Sequence, residues 1–185
     1  MTPAFIFVDL LEDFLRKPPL TDQRTRIATA VTELAVIARS AGFPLIWVRQ
    51  EFQADLSDAF LSMRETGTSV TIKGTVGSQL ISEIETEHGD YEIIKKRYSA
   101  FYNTDLSRLL GELGCTHVVI GGVNTHACVR TTAVDAFQRD FHVLLATDAI
   151  ASYDEEYHRE SLRYMEQSIG FAMNNREIEA AISAA

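Results

Sequence analysis

Only two cysteines, Cys115 and Cys128, occur in 185 residues. So few thiols exclude a disulfide-stapled fold, and in a chain without a recognisable secretory signal they predict a reducing, cytoplasmic setting. The opening stretch MTPAFIFVDLLEDF lacks a basic region and meets acid early, so no signal peptide is expected. No apolar run approaches the length that spans a bilayer, which argues against a membrane protein. Positive charge is also scarce. Lys and Arg number 17 against 26 Asp and Glu, for a net charge of −9, and no basic cluster suits a phosphate backbone. Nucleic acid is therefore not an expected partner. The histidines His88, His117, His126, His142 and His158 show no pair at zinc- or iron-ligand spacing, so neither a metal nor a cofactor is expected. Repeats, low-complexity tracts and linkers are missing, and residues 1–185 are expected to form one domain.

What is present is an alternation of strand-like and helix-like segments. Short apolar runs at Ala4–Val8, Leu45–Val48, Tyr91–Ile94, Val118–Ile120 and His142–Ala146 predict five strands, and Gly170–Met173 a sixth. Helical spacing marks residues 22–41, 105–113, 128–139, 154–168 and 175–183, with Thr21 or Asp22 expected to cap the first and Gly42 to end it. Continuous apolar strands separated by helices predict an α/β fold, a parallel sheet covered on both faces. Residues 50–90 break the rhythm, with only weak helical signal at 78–87. A long irregular insertion of this kind suits a binding loop.

The stretch THVVIGGVNTHACV, residues 116–129, carries the most chemical information. Gly121 and Gly122 are expected to stop the fourth strand, and a helix is expected to open near Cys128. A helix N-terminus offers unpaired N–H groups and the positive end of a dipole, both of which favour a nucleophilic thiolate. Asp9 follows the first strand and Lys95 the third. Sheets of this type hold their sites at the carboxyl ends of strands, so carboxylate, cation and thiol fall on one edge. Each has a plainer reading: Asp9 as a turn former, Lys95 as a solvated lysine, either cysteine as a small buried hydrophobe.

The surrounding motifs resemble those of the isochorismatase-like cysteine hydrolases, among them nicotinamidases, N-carbamoylsarcosine amidases and ureidoacrylate amidohydrolases. Phe7-Val8-Asp9-Leu10-Leu11-Glu12-Asp13-Phe14 looks like the family's first-strand motif. Lys73-Gly74-Thr75-Val76-Gly77 is similar to its glycine motif. Lys95-Lys96-Arg97-Tyr98-Ser99-Ala100-Phe101 looks like its lysine motif, in which the catalytic residue lies four before the serine and so selects Lys95. Gly122-Val123-Asn124-Thr125-His126-Ala127-Cys128-Val129 resembles its nucleophile motif.

The resemblance implies a three-layer fold with a six-stranded parallel sheet of order 3-2-1-4-5-6. It implies that Cys128 attacks an amide, carbamoyl or ureido carbonyl, that Asp9 takes the thiol proton, and that Lys95 supports both. It also implies a cis peptide between Val123 and Asn124, with the backbone N–H groups of Asn124 and Cys128 forming an oxyanion hole. A homo-oligomer, dimer or tetramer, is the form common among relatives. Trp47, Arg49 and Phe101 are candidates to line the substrate pocket, with core packing or an ion pair as their plainer roles. His126, in a variable position of the motif, suits a loop or substrate-lining role.

Two departures narrow the resemblance. Leu11 stands where many relatives have glutamine, and the histidines of the nicotinamidase metal set are missing from residues 50–87. The rival readings are vinyl-ether hydrolysis, disfavoured by the presence of Cys128, a thiol-based redox sensor using Cys115 and Cys128, and a non-catalytic binder.

Overall fold

The first strand sets the architecture. β1 (Pro3–Val8) is apolar and buried along its whole length. A strand buried on both faces belongs inside a parallel sheet covered by helices. The computed structural model describes residues 1–183, and residues 184 and 185 of the expected domain lie outside the described residues. β1 lies between β2 (Leu45–Gln50) and β4 (His117–Val123). β3 (Tyr91–Lys95) flanks β2, and β5 (His142–Ala151) and β6 (Gly170–Met173) extend beyond β4. All pairings are parallel, and the order of the six strands is the expected 3-2-1-4-5-6.

Alternation along each strand divides the core. Phe5, Phe7, Trp47 and Val119 pack on one face with Val31 and Leu34 of α2 (Leu20–Ser40) and Ile178 of α7 (Asn175–Ser183). Ile6, Val8, Val48 and Ile120 pack on the other. There they meet Leu110 of α4 (Leu106–Glu112), Ala133 of α5 (Arg130–Phe137) and Met165 of α6 (Glu155–Ser168). Each fully buried aliphatic or phenyl side chain contributes about 1.5–3 kcal/mol. Among the described residues no helix is long and apolar enough to cross a membrane.

Three local expectations need correction. Gly121 and Gly122 do not end β4; the strand runs on to Val123. Gly122 permits this because it adopts φ +119° against β1, where a Cβ would come within 2.0 Å of the Val8 carbonyl oxygen. The register with β5 slips at this point, between Ile120 and Gly122. Helix α2 starts at Leu20 behind Pro19, so neither Thr21 nor Asp22 caps it. Gly42 does follow its end, at φ +71°.

The third correction concerns residues 51–90. They carry a short α3 (Leu61–Thr66) and one 3₁₀ turn, Val76–Ser78, and the weak helical signal at 78–87 does not become a helix. A small apolar cluster of Phe52, Ala59 and Met63 holds the loop together. Asp13, in the short α1 (Glu12–Leu15), fastens it to the body by accepting the Thr71 N–H at 2.7 Å. Gly77 makes room for that carboxylate, since a Cβ there would meet Asp13 Oδ2 at 2.1 Å.

Candidate active site

The strand order reverses between β1 and β4, and the two carboxyl ends lie side by side there. This is where doubly wound sheets form clefts. Asp9 is the first residue past β1. Its φ of +57° ends the strand, a conformation aspartate tolerates better than most residues. Its N–H donates to Val48 O at 2.8 Å, and its Oδ1 accepts the Gln50 N–H at 2.8 Å. The carboxylate is thereby fixed by β2 on one side.

Lys95 ends β3 and shares the face of Ile93. It is fully buried, as is Asp9. Its Nζ lies 2.7 Å from Asp9 Oδ2 and donates to Cys128 Sγ at 3.4 Å and to the Arg97 carbonyl at 3.1 Å. Cys128 sits in a π-helical turn, Thr125–Val129, that leads into α5. Such turns recur at functional sites. The residues predicted from the motifs, Asp9, Lys95 and Cys128, are thus brought into direct contact. The Val123–Asn124 bond that precedes the turn is cis. Among the described residues, the N–H of Asn124 has no acceptor, although the residue is only 9% exposed.

The electrostatics correct one expectation. Burial by itself pulls the Lys95 ammonium down, but Asp9 and Cys128 outweigh it and hold the amine above its ordinary value. The Cys128 thiol moves the other way from the helix-terminus argument. Burial, then the Asp9 carboxylate, push it far above an ordinary thiol, and Lys95 only partly opposes them. Burial and the neighbouring carboxylate thus outweigh the field of one helix terminus.

The proposed lining residues are each engaged within the protein. Trp47 is 2% exposed, stacks near Phe7 and donates its indole N–H to Asp90 at 2.9 Å, so it is core. Phe101 is core on the opposite face, beside Phe141 and beneath the Arg139 guanidinium. Arg49 donates to Glu92 at 2.7 Å and to the Ser78 carbonyl at 2.6 Å, which takes its ion-pair role. Lys96 pairs with Asp58 at 2.9 Å, away from the thiol. His126 bonds Ser152 Oγ at 2.6 Å and the Tyr153 hydroxyl at 3.2 Å, which occupies both ring nitrogens. Both cysteines are free, and Cys115 precedes β4 at the opposite sheet edge. A surface hollow of about 690 Å³, lined by His142, Gly170 and Phe171, lies at the amino ends of β5 and β6. Motif reasoning missed Gln50, whose N–H orients Asp9.

A family model described as the isochorismatase domain matches residues 3–177. The chain belongs to the isochorismatase family. One relative, a probable inactive nicotinamidase of Arabidopsis thaliana, is 35% identical over 163 residues, covering 84% of this chain and 83% of that protein. The ureidoacrylate amidohydrolase RutB of Methylobacterium radiotolerans is 31% identical over 174 residues, covering 85% of this chain and 66% of that protein. The crystal structure of N-carbamoylsarcosine amidase from Thermoplasma acidophilum superimposes with a TM-score of 0.82 at 28% identity, covering 95% of this chain and 97% of that one. The chain's own sheet order agrees with the topology expected from the motifs.

Proposed function

We propose that this isochorismatase-family hydrolase is a cysteine amidohydrolase acting on a small amide, carbamoyl or ureido compound. The observation that carries the reading is the placement of one buried ammonium between a carboxylate and a thiol, with Lys95 Nζ 2.7 Å from Asp9 Oδ2 and 3.4 Å from Cys128 Sγ. Apart from the ion contact with Lys95, Asp9 Oδ2 takes no hydrogen bond, which leaves it open to a proton. The relatives named for ureidoacrylate and N-carbamoylsarcosine hydrolysis support the same reaction class.

The thiol is neutral at rest, so its proton leaves as the S–C bond forms. Asp9 Oδ2 takes that proton while Sγ attacks the carbonyl carbon. The developing oxyanion is met by the N–H groups of Asn124 and Cys128. Collapse breaks the C–N bond, and the Asp9 proton passes to the departing nitrogen, which leaves as ammonia or an amine. Water then gives a proton to Asp9 and its oxygen to the thioester carbon. The C–S bond breaks, and the sulfur recovers its proton. Lys95 stays charged throughout and steadies the carboxylate and the sulfur.

The test is a screen of small amides and ureides for ammonia release by the wild type and by Cys128→Ser. Release by the wild type alone supports the reading. Equal rates in both proteins, or release by neither from any compound, refutes it.

A further inference from the structure

Gln50 ends β2 directly opposite Lys95. Alternation along β2 puts it on the face of Ile46 and Val48, the face that also carries Cys128. Its backbone is accounted for, since the N–H holds Asp9 Oδ1 at 2.8 Å. Its side chain is not. The residue is 4% exposed, and Nε2 has no hydrogen-bond partner. A buried amide N–H left without a partner is destabilising. In a native structure such a group calls for an explanation, and a ligand that supplies the missing partner is one.

The neighbouring cations say what kind of partner that is. Lys95 is held by Asp9, Lys96 by Asp58, and Arg49 by Glu92 and the Ser78 carbonyl. Arg97, on the same segment as Lys96, donates to the Asp58 and Lys96 carbonyls. Each is engaged within the protein, so a carboxylate arriving beside Gln50 would find no unengaged cation among Arg49, Lys95, Lys96 and Arg97. A carboxamide is both donor and acceptor, and it pairs in both directions with another amide, whereas a carboxylate is acceptor only. β2 and β4 are separated by β1 alone, about 9–10 Å at 4.7–4.9 Å per strand. Gln50 and the turn that carries Cys128 thus lie on one face, one strand apart.

We infer that Gln50 is a specificity residue that holds an uncharged carboxamide or ureido group at the end of the substrate remote from the bond Cys128 cleaves. The inference rests on the amidohydrolase reading and narrows it, from small amides in general to those carrying a second neutral amide-like group.

The experiment uses matched pairs: malonamide against malonamic acid, and succinamide against succinamic acid. Ammonia release is measured for the wild type, Gln50→Met and Gln50→Leu, together with thermal unfolding of each. In the wild type, kcat/KM is expected to be at least about tenfold higher on the diamide than on its amide acid. Gln50→Met and Gln50→Leu should lose about 10–100-fold on the diamides, while Tm holds or rises because an orphaned polar group has gone. Three results overturn the inference. One is a wild type that prefers the acids, a comparison that needs no variant to fold. The second is unchanged kcat/KM in both variants. The third is a wild type that hydrolyses other amides but neither diamide. In all three the amidohydrolase reading survives. If ammonia release is the same in Cys128→Ser as in the wild type, that reading falls and the inference with it.

Discussion

Lys95 Nζ lies 3.4 Å from Cys128 Sγ although two whole strands, β2 and β1, separate β3 from β4. The lysine stem crosses that distance under cover, and Asp9 meets the ammonium partway at 2.7 Å. One charge therefore acts on the carboxylate and on the thiol together. Removing either partner of such a buried pair leaves the other uncompensated, at a cost of about 3–5 kcal/mol.

The two reacting groups should respond in opposite senses to Asp9→Asn. The Asp9 carboxylate helps hold the Cys128 thiol high, so neutralising it lets the thiol ionise at lower pH. Iodoacetamide should alkylate Cys128 of the variant faster at pH 8 than in the wild type. Turnover should fall by about 10²–10⁴-fold, because the proton acceptor is gone. Rates of labelling and of ammonia release, measured on one preparation, check both arms. Slower alkylation together with normal turnover would contradict the assignment.

Lys95→Ala should also abolish most turnover, and the double variant with Asp9→Asn should be little worse than either alone, as groups that act as a unit behave. Lys96→Ala is the control. Its ammonium pairs with Asp58 and is well removed from the thiol, so kcat/KM should change less than about twofold. A larger defect in Lys96→Ala than in Lys95→Ala would reverse the roles.

Acid should loosen the protein through Arg24. Its guanidinium bonds Glu12 at 2.7 and 2.8 Å and Glu83 at 2.6 and 2.7 Å. Those bonds lower the Glu12 carboxyl and hold Glu83 down to about 2, from an ordinary value of 4.5. A carboxylate depressed in the folded state stabilises above its unfolded value and loses that contribution as pH falls. The loss should run from about pH 4.5 down to 2. Arg24→Gln should lower Tm by about 2–4 °C at pH 6 and by a small fraction of that at pH 2, since these are partly solvated pairs and Glu83 is by then about half protonated. A difference as large at pH 2 as at pH 6 would point to packing instead.

Gly122→Ala should be costly. A Cβ would come within 2.0 Å of Val8 O at a backbone φ of +119°. A penalty of about 3 kcal/mol corresponds to a Tm lower by roughly 6 °C or more. Gly111→Ala is the counterpart: it lies in α4 with nothing within 4 Å of a new Cβ, and should gain about 0.5–1 kcal/mol. Calorimetry of both variants decides.

Chelation should leave turnover intact. Among the described residues no three His, Cys, Asp or Glu side chains are grouped to hold an ion. Activity lost to EDTA and restored by one metal would overturn this.

The strands were legible because runs such as PAFIFV and HVLLA are apolar without a break, and only a doubly covered sheet uses that pattern. The trio Asp9, Lys95 and Cys128 was legible because each sits just beyond or at a strand end, in ordered motifs. What the residues did not disclose was three-dimensional in origin. Gly122 looks like a terminator until β1 is placed against it. Trp47 looks like a pocket wall until Asp90 is found to receive its N–H. The helix-terminus argument for a thiolate uses one local field, whereas burial and Asp9 act across the sheet. Gln50 carries no signal at all in one dimension, since a buried and a solvated glutamine read alike.

A thiol 5% exposed and held well above its ordinary value by burial and a carboxylate is also a durable one. Peroxide attacks thiolates, and the sulfenic acid it leaves can be oxidised further, past repair. Cys128 offers little thiolate to such an attack, and in the proposed mechanism its proton passes to Asp9 only as the sulfur attacks a carbonyl. That is the reverse of what an oxidant sensor needs, which is an exposed, acidic thiol near a resolving partner. Cys115, itself buried and raised by that burial, is no such partner. The same enclosure that slows the resting sulfur would let the protein last in an oxidising episode.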